Sequence, residues 1–136
     1  MYLLDTNVLS EFRRPRPDVG VIAWMRAQRP GDLYLSVITV MEHEIGIRRI
    51  ERRDETQARR LQQWLEDSVL AGFEGRILPI DLAVARCCAA SHVPDPAPER
   101  DALIAATALV HGLTVVTRNE KDFRRFGVSV MNPFSA

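Results

Sequence analysis

"DALIAATALVHGLTVVTRNEKDF", Asp101–Phe123, changes structural period twice within its length. From about Glu99 to His111 apolar residues recur at helical spacing, and Gly112 supplies a stop. Leu113–Val116 follows as a short β-rich strand. Thr117-Arg118-Asn119 then turns the chain into a second short helix over Glu120–Phe126. A helix running into an apolar strand, and that strand into another helix, is the repeating unit of a parallel sheet covered on both faces.

The same alternation extends outward. Tyr2–Leu4 reads as a strand; Val8–Arg13 and, after the Pro15/Pro17 break, Val19–Ala27 read as helices. Leu33–Val37 is a second strand, followed by a helix over Val40–Arg52. Asp54 can cap a longer helix with Leu61, Trp64, Leu65, Ser68 and Val69 on one stripe. Ile77–Ile80 is a third strand, Leu82–Ser91 a helix, and His92–Arg100, with three prolines, a loop. Val128–Met131 is an edge strand ended by Pro133. The sequence contains no internal repeat or linker, so residues 1–136 are expected to form one α/β domain.

At 136 residues, with 46% hydrophobic and 26% charged residues, the chain has the composition of a soluble globular domain. No apolar run approaches the ~20 residues of a membrane span, and the N-terminus lacks a signal-peptide pattern, which places it in the cytosol with no membrane partner. Cys87 and Cys88, adjacent in a helix, read as buried thiols. The net charge of zero excludes a globally basic nucleic-acid binder. Even so, 17 of 18 basic residues are Arg, and they cluster at Arg13, Arg14 and Arg16 and again between Arg48 and Arg60. Arg forks suit phosphate, although the second cluster equally fits a solvated helix face.

In an open α/β sheet, ligands bind beyond the carboxyl ends of the strands. There the first strand is followed by Asp5-Thr6-Asn7, the second by Glu42 in the next helix, and the fourth by Thr117-Arg118-Asn119 with Asp122 close behind. The helix that begins near Asp101 runs antiparallel to the strands, which brings Asp101 to the same rim. Each acid has a structural alternative. Thr39-x-x-Glu42 fits a capping box, Asp101 and Asp122 fit first-turn acids, and Asn119 fits an N-cap. Asp5 could cap the following helix, but a cap does not require the centre of the sheet edge. Taken together, such carboxylates repel by ~4 kcal/mol per pair at 4 Å and an effective dielectric of 20, unless a cation lies among them. Oxygen donors suit Mg²⁺ or Mn²⁺, and the matching chemistry is metal-assisted phosphodiester hydrolysis. Thr6, Asn7, Thr117 and Asn119 could orient carboxylates or water without adding charge.

In order and spacing, "LLDTNVLSE", "LSVITVMEHEIG", "GRILPID", "DALIAATALVHGLTVVTRNEKDF" and "NPF" resemble the PIN-domain ribonucleases, and within them the VapC-type toxins of bacterial toxin–antitoxin pairs. The resemblance covers nearly the whole chain. It implies a three-layer α/β/α fold with a small, mostly parallel central sheet. The implied activity is an Mg²⁺- or Mn²⁺-dependent endoribonuclease. Residue by residue, Asp5, Glu42 and Asp101 match the family's metal-binding acids. Asp122 contributes at the edge of the site, and Asn119 stands where many members carry a fourth acid. The implied partners are RNA, a second copy of the chain, and a VapB-like antitoxin through which the assembly binds DNA.

His43, His92 and His111 show no ligand spacing and read as core or surface residues. Trp24 and Trp64 read as core or dimer-interface anchors, Asp81 as a helix cap, and Glu44 as solvated. A catalytically silent RNA- or partner-binding domain is the competing reading, since Asn119 replaces an acid. A phosphatase or receiver-like domain would need a second Asp two residues after Asp5, where Asn7 stands, or a Lys at a strand end, and Lys121 is not there.

Overall fold

The computed structural model describes residues 1–135. Five short strands, β1 (Tyr2–Leu4), β2 (Leu33–Ser36), β3 (Ile77–Leu78), β4 (Thr114–Val116) and β5 (Val130–Met131), form one sheet in the order β3-β2-β1-β4-β5. Every pairing is parallel, where the sequence implied a mostly parallel sheet. β1 is therefore the central strand. It pairs Leu3 with Val115 and Leu4 with Val116 of β4.

Strand alternation sends these pairs to opposite faces. Leu4 and Val116 pack with Val8, Val21, Leu35, Leu61 and Leu65. Leu3 and Val115 pack with Ile104, Ala105 and Phe123. Full burial of each Leu contributes ~1.5–3 kcal/mol, which is why so short a strand holds the middle of the sheet. The first face is covered by α1 (Thr6–Ser10), α2 (Val19–Arg26) and α4 (Glu55–Trp64), the second by α6 (Glu99–His111) and α7 (Glu120–Arg124). α3 (Val37–Glu51) contributes Ile38 to one cluster and Ile47 to the other. α5 (Leu82–Ala90) packs on α6 through Val84, Cys88, Ala102 and Ala106, where alanines permit close approach. The result is the three-layer α/β/α arrangement.

Capping follows local chemistry. Asp18, Asp54 and Asp81 each accept an amide hydrogen bond three residues on, at the starts of α2, α4 and α5. α6 ends at Gly112, whose φ of +65° is a left-handed stop. Three sequence expectations change. α1 begins at Thr6 rather than Val8, because Asp5 itself caps it, and the segment ends in a 3₁₀ turn over Glu11–Arg13. The helix after β2 begins at Val37 rather than Val40, because Ser36 caps it by accepting the Ile38 amide. The helix expected to continue past Trp64 passes into a π turn over Leu65–Leu70, and this wider turn carries Ser68 to the surface while Leu65 and Val69 stay buried.

Candidate active site

Asp5 leaves the end of the central strand still tied to the sheet, since its amide donates to the Val116 carbonyl at 2.9 Å. The Thr117 amide donates to the Met131 carbonyl at 2.9 Å, which fixes the next strand end in the same way. Thr117 Oγ1 then donates to Asp5 Oδ2 at 2.8 Å, Asn7 Nδ2 reaches the same oxygen at 3.2 Å, and the Thr6 amide donates to Asp5 Oδ1 at 2.8 Å. Thr117 Oγ1 also accepts the Asn119 amide at 3.0 Å. Asp5, only 5% exposed, is thus held in one orientation by neutral donors.

Glu42 arrives from α3 and accepts a 2.7 Å hydrogen bond from Thr6 Oγ1. The capping-box alternative fails here. Ser36 holds the cap, and Thr39 is buried with its hydroxyl unpartnered among the described residues. Asp101 lies in the first turn of α6, where Pro98 is the N-cap and no side chain caps the helix. Asp5, Glu42 and Asp101 line one cleft of about 360 Å³ together with Thr6, Asn7 and Asn119. Asn119 precedes α7, makes no side-chain cap and lines the cleft.

Burial pushes the Asp5 carboxyl from its ordinary 3.8 up to about 6. Its hydrogen bonds from Thr117 and Thr6 oppose the rise, and the charges of Asp101 and Glu42 add to it. Burial also raises Asp101, reinforced by Asp122 and Glu42. Asp122 is therefore within electrostatic reach of Asp101, but it is exposed and does not line the cleft. Positive charge at the cleft lies on Arg13, Arg14 and Arg118, none of which is ion-paired with Asp5, Glu42 or Asp101 among the described residues. Arg100 approaches Glu42 only to 3.9 Å, with its side chain largely solvated.

The arrangement fits a hard cation. The acid side chains offer oxygen donors, and the neighbouring carboxylates add to the rise that burial imposes on Asp5 and Asp101. Among the described residues, no three Asp, Glu, His or Cys side chains are gathered tightly enough to enclose an ion by themselves. Mg²⁺ and Mn²⁺ suit such a site, because Mg²⁺ keeps several waters and needs only one or two carboxylates. Tetrahedral nitrogen or sulfur coordination of Zn²⁺ does not.

The chain matches the PIN domain over residues 2–128. It belongs to the PIN-domain family. It is 42% identical to Toxin FitB of Neisseria gonorrhoeae over 98% of its own length and 99% of the relative's. It is 39% identical to VapC ribonuclease Y4jK of Sinorhizobium fredii, covering 98% of each. Among solved structures it superposes on FitAB bound to an IR36 DNA fragment with a TM-score of 0.90, at 38% identity, over 100% of this chain and 97% of that one.

Ser10, Glu11, Arg118 and Phe134 of this PIN domain's cleft went unread as site residues in the sequence. Glu11, 4% exposed, lines the cleft and accepts the Asp18 amide at 2.8 Å while pairing with Arg14 at 3.2 Å. Its only sequence signal was an acid placed among the apolar positions of the first helix. Phe134 of "NPF" also lines the cleft, although it lies on the C-terminal segment after β5. Of the residues set aside, His43 is buried against Trp64 with its Nε2 unpartnered among the described residues. Glu44, expected in solvent, is partly covered by α4 and accepts from Gln62 at 3.3 Å.

Proposed function

We propose that the chain is a divalent-metal-dependent endoribonuclease, the toxin of a toxin–antitoxin pair. One observation carries this reading: Asp5 is fixed at the end of the central strand by Thr117 and Asn7, in the same cleft as Glu42 and Asp101. The names of the related proteins, a toxin and a VapC ribonuclease, support it.

In this reading Asp5 and Asp101 hold Mg²⁺ or Mn²⁺, with Glu42 completing the acid set. The ion would supply the Lewis acidity for phosphodiester hydrolysis when bound. The chain's residues do the remaining work. Thr117 and Asn7 keep Asp5 from rotating, Thr6 keeps Glu42 turned into the cleft, and Asn119 offers its side-chain carboxamide to a substrate or water oxygen. Asp122 acts on the site through Asp101 rather than by direct contact. Arg13 and Arg14 at the cleft supply positive charge for phosphates outside the acid centre, which reconciles a neutral chain with an RNA substrate.

The partners that follow are RNA, a VapB-like antitoxin that blocks the cleft, and a second copy of the chain; the DNA-bound FitAB assembly supports DNA binding through the antitoxin. Incubating purified protein with RNA and Mg²⁺ or Mn²⁺, with and without EDTA, tests the activity. Wild type should cut, and EDTA or Asp5→Asn should abolish cutting. RNA left equally intact by folded wild type and folded Asp5→Asn would favour a silent binding domain instead. Toxicity on expression, relieved by the product of an adjacent small gene, tests the biological role.

A further inference from the structure

We infer that Arg118, held over the Phe134 ring, binds an RNA phosphate at the cleft, and that the C-terminal segment holds it there. The inference rests on the ribonuclease reading above.

Arg118 and Phe134 line the same cleft as Asp5, Glu42 and Asp101. The guanidinium carbon lies 4.7 Å from the centre of the Phe134 ring. A ring face under the guanidinium fixes its plane and leaves the fork of donors at the edge free. The backbone is fixed as well, since the Arg118 amide donates to Asn7 Oδ1 at 3.1 Å, and Asn7 also holds Asp5. Fork and acid centre thus share one support.

Phe134 is built in from both sides. Its amide donates to Asn132 Oδ1 at 3.0 Å, and the next residue, Ser135, gives its amide and hydroxyl to the two oxygens of Asp18 at 3.1 and 2.7 Å. Gly20 leaves room for this. A Cβ there would come within 2.5 Å of the Pro133 carbonyl oxygen. So much anchoring for an exposed Arg would be unexplained if the side chain only decorated the surface.

Charge favours phosphate over a carboxylate of the protein itself. Among the described residues the ion pairs are Glu11–Arg14, Glu42–Arg100 and Glu120–Arg124, and Arg118 belongs to none. Of the three arginines lining the cleft, Arg14 is engaged while Arg13 and Arg118 are in no ion pair among the described residues, and of these two it is Arg118 that is held over an aromatic ring. A planar fork with free donors beside an acid centre that must receive a phosphodiester is suited to a neighbouring phosphate of the same strand. Phe134 is a positioning residue that acts through Arg118.

The test uses the full chain in an Asp5→Asn background, so that RNA is bound and not cut. A fluorescent single-stranded RNA oligonucleotide of mixed sequence is titrated at several salt concentrations. Arg118→Gln should weaken binding roughly tenfold and make the slope of log affinity against log salt shallower by about 0.7, the value for one single-strand phosphate. Arg118→Lys should keep the slope and lose part of the affinity. Phe134→Leu should weaken binding and Phe134→Tyr should restore it. Arg86→Gln, at an exposed position of α5 that does not line the cleft, should change neither quantity. In the active protein, Arg118→Gln should raise KM with kcat little altered. Parent-like affinity and slope in Arg118→Gln overturn the assignment while leaving the ribonuclease reading intact. Failure of the parent itself to bind RNA overturns that reading.

Discussion

Thr117 Oγ1 donates to Asp5 Oδ2 at 2.8 Å across 112 residues of sequence, joining the ends of β4 and β1 inside the acid cleft. This bond lowers the proton affinity of a carboxyl that burial raises, so it works against the main force on Asp5. It also makes Thr117 a hub, because the same hydroxyl accepts the Asn119 amide.

Thr117→Val tests that hub. Val keeps the shape, but the fully buried hydroxyl is lost, leaving Asp5 Oδ2 and the Asn119 amide without it. The expected destabilisation is about 1–3 kcal/mol, with the Asp5 carboxyl rising above about 6. Chemical denaturation reads the first and NMR titration of the carboxyl the second. An unchanged denaturation midpoint would show that the bond contributes nothing to the fold.

Asp5→Asn gives the opposite sign of stability effect in EDTA. The folded protein holds the Asp5 proton up to about 6, the unfolded chain only to 3.8, so the folded state binds more protons between those values. The Asp5 contribution to stability should therefore fall as pH rises through that window and stay flat above it. Asn removes the penalty, at most ~3 kcal/mol for a shift of this size and less after screening. Melting scans of both proteins at pH 4 and pH 7.5 decide it: the variant should melt higher than wild type at pH 7.5, and this advantage should shrink at pH 4.

Much of this site was readable before any coordinates because an α/β sheet puts its strand ends in one place. Locating Tyr2–Leu4, Leu33–Val37 and Leu113–Val116 was enough to gather Asp5, Glu42 and Asp101. Relations that depend on side-chain packing were not readable. Ser36 rather than Thr39 caps α3 because the chain leaves β2 one residue after Leu35, and no local propensity distinguishes the two hydroxyls. Division of the fourth position also needed geometry. Asn119 lines the cleft, while Asp122, one helical turn on, stays in solvent. Glu11 and Phe134 were hidden because what seats them is tertiary: Asp18 gives its amide to Glu11 and accepts from Ser135, the residue after Phe134.

Glu42→Gln and Asp101→Asn should separate catalysis from stability. Neither acid caps its helix, and Gln can still accept from Thr6. In EDTA both variants should melt at or above the wild-type temperature, because each removes a charge from a repelling set. RNA cleavage should fall at least ~100-fold. A marked loss of melting temperature in both would return them to a structural role.

His43 opposes Asp5 on the acid side. Burial, with Arg13 nearby, lowers its imidazole from 6.5 to about 4. The unfolded chain takes up this proton first as pH falls, so the His43 contribution to stability is lost between 6.5 and about 4, the range in which Asp5 gains. His43→Leu should therefore leave stability at pH 7.5 within about 1.5 kcal/mol of wild type and make the protein relatively more resistant at pH 4.5. Urea midpoints at the two pH values measure the difference, and parallel losses in both proteins would sink the idea.

Gly20→Ala tests how firmly the C-terminal segment is seated. Ala is favoured over Gly in a helix interior by up to ~1 kcal/mol, and Gly20, in the first turn of α2 and without a positive φ, should gain a part of that, so propensity alone predicts stabilisation. Sterics predict the reverse. The new Cβ would lie 2.5 Å from the Pro133 carbonyl oxygen and 2.9 Å from the Ser135 amide nitrogen, both backbone atoms. The tail must then move away, breaking the Asp18–Ser135 bonds and shifting Phe134 from beneath Arg118. Overpacking of this kind costs about 1–3 kcal/mol, more than propensity returns, so the net expectation is a lower melting temperature. Pairing Gly20→Ala with Asp18→Asn should give less than the sum of the two losses, because both act on the same tail. A melting temperature at or above wild type for Gly20→Ala would mean that the segment yields easily and cannot serve as a rigid support.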